Sequence, residues 1–346
     1  MSSQSNLGHL QRIGQALVAL AEGVKDNPPQ ATADRGRARM KARMLIIAVA
    51  FLALFPRIAV AAFDSSYYYP LDLNREAREV FGSSATAVAL GPHLWDWRAY
   101  VNGQYYSLDL NHCVSAQYGS GWSLVAIGVG IYDWRAVNMS SLPNDVLPVM
   151  EIASDQFFNV PAVSDGLSKL KSVLQMTQNW YSARAGRTFR MLLPIVLYTS
   201  RSSSSWNALS ASTANSANRY DLLNELIAQY QSQLPTPSSV KIAAAPYTGN
   251  SPDVYLGAAS ASPFAIAAPR VTSVTCPATG TQDARCADAG YAFGHELGHL
   301  WGLGHSCDVY PSDPNCGNSI MQTGKPWDAI FLSGEISTLS ASPFLQ

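Results

Sequence analysis

The sequence predicts a mixed α/β (α+β) domain built on a mixed sheet, preceded by a smaller β-rich domain. Three observations carry that reading. Residues 63–148 are rich in aromatics and in short alternating apolar runs. From about Val149 the pattern changes to helix-period and strand-period segments in alternation. Finally, residues 295–305 read His-Glu-Leu-Gly-His-Leu-Trp-Gly-Leu-Gly-His, which sets histidines four apart on one helix face just ahead of a glycine turn.

The 346 residues suffice for one large domain or two smaller ones, and an apolar content of 47% is ample for a core. With a net charge of −1 and only 14% charged residues, nothing suggests a nucleic-acid or anionic-membrane partner, and none is expected. Arg35, Arg37, Arg39, Lys41 and Arg43 form a basic stretch ahead of the apolar run Met44 to Phe55. That run is short for a membrane span and ends at Pro56, before the small residues Ala59-Val60-Ala61-Ala62. It reads as a signal peptide starting near Met40 or Met44, with a membrane anchor as the other reading. Leu10, Ile13, Leu17 and Leu20 give residues 1–39 one weak amphipathic pattern and no further assignment. Residues 1–62 are therefore expected to be leader, leaving a secreted or periplasmic protein with no stable anchor.

Within 63–148, Ala99-Tyr100-Val101 and Trp122 to Ile127 are strand candidates separated by Asn-Gly and Gly-Ser-Gly turns. Asp96-Trp97-Arg98-Ala99 recurs as Asp133-Trp134-Arg135-Ala136, either a duplicated hairpin or a coincidence. The segment reads equally as a propeptide, a substrate-binding module or a structural extension. Within 149–346, Leu167, Leu170, Val173 and Leu174 predict a helix over 167–181, and Phe189 to Tyr198 a buried strand. Residues 202–218 read as a Ser/Thr/Ala/Asn-rich loop, Tyr220 to Tyr230 as a helix and Val240 to Pro246 as a strand. Val254 to Ala259 and Arg270 to Thr275 are further strand candidates. Asp288 is the expected N-cap of the helix that runs to about Gly302.

That helix carries the chemistry. His295 and His299 lie one turn apart and can reach a single metal ion, while Glu296 sits beside the first ligand, where a carboxylate can take a proton from activated water. Gly302 permits an abrupt exit from the helix, and the returning chain offers His305 as third ligand. Three imidazoles and an open position describe a catalytic zinc site holding one ion; a structural zinc would take a fourth ligand, often cysteine, and would have no use for Glu296. Histidines on an ordinary helix are the other bland reading. Typical residue frequencies put a chance match to the whole pattern on the order of one in 10⁵ for a chain of this length.

This extended pattern resembles that of the metzincin clan of zinc endopeptidases, and Asn318-Ser319-Ile320-Met321-Gln322 is similar to the clan's Met-turn, which implies that Met321 lies beneath the three histidines. The resemblance covers about residues 288–323, more loosely from 160. It implies a zincin-like fold and an active-site cleft between an upper α/β half and a small lower half, with an edge strand able to pair with an extended peptide. Ser306 after the third histidine is similar to matrixins, whereas the loop to Met321 is longer than theirs. Two clan families place a tyrosine ligand where this chain has Thr323, so no such ligand is carried over. The cysteine-flanked loop after His305 is similar to that of archaemetzincins, whose full cysteine pattern is absent.

Five cysteines follow residue 62. Cys276 with Cys286 and Cys307 with Cys316 are the natural local disulfide pairs, and sequence leaves other pairings open. Cys113 is left over, either a buried free thiol or, as the matrixin resemblance would imply, a latency thiol that blocks the metal. The expected activity is hydrolysis of peptide bonds in a peptide or protein substrate by an exported zinc-dependent endopeptidase, with Glu296 as general base and then acid. A zinc amidase acting on cell-wall peptide and a non-catalytic secreted binding protein with a vestigial zinc site are the alternatives. Tyr291 and Trp301 are explained by helix packing.

Overall fold

The computed structural model describes residues 63–213, 220–237, 239–249, 257–259, 263–267, 269–278, 283–322 and 329–346. The leader expected over 1–62 and Thr323 lie outside the described residues, as does part of the 254–259 strand candidate.

In chain order the strands are β1 (Tyr69–Pro70), β2 (Thr86–Ala89), β3 (Trp97–Val101), β4 (Gln104–Ser107), β5 (Ser123–Ala126), β6 (Trp134–Val137), β7 (Val146–Ile152), β8 (Ile195–Tyr198), β9 (Lys241–Tyr247), β10 (Gly257–Ala259) and β11 (Phe264–Ala267). The helices are α1 (Leu73–Phe81), α2 (Leu110–Tyr118), α3 (Val160–Ala185), α4 (Ser203–Thr213), α5 (Asp221–Gln231), α6 (Ala284–Leu300), the single turn α7 (Ser306–Val309) and α8 (Ser333–Ala341). Eight strands form one sheet in the order β1-β6-β5-β8-β7-β9-β11-β10, and β2-β3-β4 form a second. The central strands β8, β7, β9 and β11 run parallel; β10 closes one side antiparallel to β11. The mixed α/β class is therefore present.

Because side chains alternate across a strand, β7 feeds two cores. Met150 and Ile152 pack with α3 and α6, and Leu147 and Val149 pack with Trp206, Leu222, Leu226 and Tyr230 of α4 and α5. The expected boundary at 148/149 falls inside β7, and β5 and β6 from the segment before it pair into the same sheet as β8. Three local expectations are corrected. Residues 203–213 form α4 instead of a loop, because Trp206 buries itself fully in the second core. Residues 269–272 form a 3₁₀ turn instead of a strand. The strand expected from Phe189 is confined to Ile195–Tyr198; upstream, Phe189 and Met191 make isolated bridges, with Pro194 between the two parts.

The repeated tetrapeptide belongs to a tandem duplication 37 residues apart. Asp72 and Asp109 cap α1 and α2 through their side chains, and Gly82 and Gly119 end them at positive φ of 98° and 99°. In the following loops His93 N–H donates to Asp96 (2.9 Å) and Gly130 N–H donates to Asp133 (2.8 Å). A Cβ on Gly91 or Gly128 would collide with that same carboxylate. The tryptophans cross over: Trp97 Nε1 donates to Ile131 O (2.6 Å), and Trp134 Nε1 donates to Leu94 O (2.7 Å). Arg98 and Arg135 each donate Nη1 to two carbonyls of their own loop, and Ala99 and Ala136 are buried. Every position of Asp-Trp-Arg-Ala thus has a physical task, performed twice.

Candidate metal centre

Helix α6 begins at Asp283, whose carboxylate accepts from the N–H groups of Arg285 and Cys286; the expected cap, Asp288, lies inside the helix. The start moves upstream because the Cys276–Cys286 disulfide pins the first turn. At its far end, Gly302 adopts φ 93° and the chain closes with Gly302 N–H to His299 O (3.0 Å) and Leu303 N–H to Gly298 O (3.0 Å). This pair of bonds is the Schellman arrangement, which turns the chain back toward the helix. His305 is delivered by that turn.

His295, His299 and His305 each offer a ring nitrogen, and the three atoms lie within 4.8 Å of one another. His295 Nδ1 is 2.7 Å from Ile320 O and His299 Nδ1 is 2.8 Å from Leu303 O. A carbonyl only accepts, so both Nδ1 atoms carry the proton and both Nε2 lone pairs face inward. His295 Nε2 and His299 Nε2 are 3.2 Å apart, an arrangement of two acceptors that a shared cation would relieve. Burial pulls the His295 imidazole down to about 4 and also lowers His299, in both cases disfavouring the charged ring. His305 has no such tight partner: Asp308, itself exposed, stands 3.7 Å from its Nδ1. The residues fit a metal ion held by three imidazoles.

Glu296 is 8% exposed, and desolvation pushes its carboxyl up to about 8. Strand β10 passes directly against it, since a Cβ on Gly257 would stand 2.7 Å from Glu296 Cγ. Met321 is fully buried, and a Cβ on Gly298 would collide with its sulfur, which explains a glycine in the middle of a helix. Tyr291 donates to Gln322 O (3.2 Å), tying the helix to the 319–322 turn, beyond the plain packing role expected for it. Trp301 does pack, edge to face on Tyr181 at 4.8 Å between ring centroids.

Both disulfides join the expected pairs, Cys276–Cys286 and Cys307–Cys316. Cys113 is a buried free thiol on α2 that accepts from Gln117 Nε2, and it is not part of the histidine cluster. Desolvation, with Glu76 second, pushes it up to about 12. Sequence reading overlooked Glu335, a buried carboxyl that receives donors from Ser306 and Ser319. Only its position three residues into a C-terminal helix hinted at it. No protein-family model matches the chain, and no curated protein matches it.

Proposed function

We propose that the chain is an exported, zinc-dependent endopeptidase of the metzincin clan with a zincin-like catalytic domain. The observation that carries this reading is the convergence of three imidazoles beside a buried carboxyl over which an edge strand runs. His295, His299 and His305 would hold one zinc ion. When bound, zinc supplies Lewis acidity toward a peptide carbonyl and toward water.

The chain's own residues supply the rest. Glu296 takes the proton from the attacking water and returns it to the departing amine, and its dry surroundings raise its basicity toward that task. The carbonyls of Ile320 and Leu303 hold two imidazoles in the tautomer that leaves Nε2 free. Among the described residues β10 ends the sheet, so an extended substrate pairing along it would cross Glu296. The two disulfides support export.

Glu296→Gln should keep zinc content at the wild-type level and lower peptide hydrolysis by at least about 10²-fold, the lower end for losing a positioned general base. Metal analysis and turnover of a casein substrate on the same preparation read both quantities. Wild-type turnover in the zinc-loaded variant would overturn the mechanism. Turnover confined to isolated cell-wall material would redirect it to the amidase.

A further inference from the structure

We propose that Glu335 is a positioning residue for the metal centre: it locks the loop carrying His305 and the 319–322 turn beneath His295 into one register. The proposal rests on the metal-site reading above. Glu335 is fully buried on α8, yet its carboxylate touches both other segments. Ser306 Oγ, in the residue after His305, donates to Oε1. Ser319 Oγ, in the residue before Ile320, lies 2.8 Å from both carboxylate oxygens. Leu332 N–H donates to Oε2 at 2.7 Å. Ser306 and Ser319 are themselves fully buried. These three partners are neutral donors held where water does not replace them.

The two serines matter because of their neighbours. Ile320 O is the acceptor that fixes His295 Nδ1, and Met321 N–H donates back to Ser319 Oγ at 3.0 Å. Holding Ser319 therefore holds both the carbonyl that orients His295 and the methionine packed on Gly298. His305 is the ligand whose ring lacks a close partner, so its place depends on its backbone, and Ser306 is where that backbone is anchored. One carboxylate thus acts on two of the three imidazoles without touching either, in the way that outer partners of metal ligands set ligand geometry.

Glu335→Gln keeps the shape and turns one acceptor into a donor facing donors. Zinc release from the loaded full chain into a chelating dye should speed up about tenfold in this variant, as expected for loss of an outer partner, with Ser306→Ala changed in the same direction and by less. In the cobalt-substituted protein the visible absorption bands should shift, a response that a general loss of stability would not produce. Amide hydrogen exchange in the metal-free protein should accelerate over 303–322 and stay unchanged over α3. Wild-type release, spectrum and exchange in Glu335→Gln would overturn the proposal. If that variant fails to fold, Ser306→Ala and Ser319→Ala decide it, and wild-type behaviour in both overturns it. A wild-type chain that holds no zinc would instead overturn the metal reading, while the exchange data still test the lock.

Discussion

Glu335 and Glu151 are both fully buried glutamates, one below the histidine region and one on the opposite face of the sheet. The first gathers Ser306, Ser319 and the Leu332 N–H, drawn from up to 29 residues away. The second lies on β7, and among the described residues neither of its oxygens has a hydrogen-bond partner. Glu225, by contrast, is paired with Arg201 through two hydrogen bonds. Burial alone therefore tells little about a carboxyl group. The donors decide, and they are spent where loops around the histidines need fixing.

That difference makes Glu151 the place to expect the largest effect. Desolvation, reinforced by Glu225, raises its carboxyl well above the usual range. A group raised on folding stabilises fully below its unfolded value, near 4.3, and that contribution is lost as pH rises toward the folded value. Wild-type stability should then fall relative to Glu151→Gln by about 1.4 kcal/mol per pH unit above roughly pH 5, the slope for one proton. Urea titrations of both proteins at pH 5, 6 and 7 measure it. Parallel profiles would show that Glu151 is already charged in the fold.

The duplicated segment supplies carboxylates satisfied by local donors, and its two copies differ in burial. Asp133 caps a loop that feeds the large sheet, whereas Asp96 caps one that feeds the small, more exposed sheet. Both hydrogen bonds are part-buried, and with the better-covered sheet behind it Asp133→Ala should cost about 2 kcal/mol, Asp96→Ala about 1 kcal/mol. Equal losses in urea unfolding would mean that burial does not scale the cost. The smallest effect belongs to a neutral donor: Trp134→Phe removes one hydrogen bond to Leu94 O and should cost about 0.5 kcal/mol, read as a lower thermal midpoint.

The same contrast explains what could be read from sequence. The three histidines, Glu296, Gly302 and both disulfide pairs are close in the chain, and short-range spacing is what a sequence displays. So is the helix at 167–181, which extends to 160–185. Helix α4 escaped because its Ser- and Ala-rich run has no long apolar stripe, and its fully buried anchor, Trp206, acts through tertiary packing. Glu335 escaped because its partners lie on other segments. The duplication was half visible. Asp-Leu-Asn, Gly-Ser and a lone loop glycine recur at the same offset as Asp-Trp-Arg-Ala, and aligning them together would have revealed the second copy.

The crossed tryptophans carry a consequence for how that segment holds together. Each indole is satisfied only by the other copy's loop, and His93 and Gly130 pair across the junction. This reciprocity, in which each copy contacts the other with the same group, is the relation two identical subunits have across a two-fold interface. Here the two partners are joined by a few residues of peptide, so association becomes intramolecular and insensitive to protein concentration.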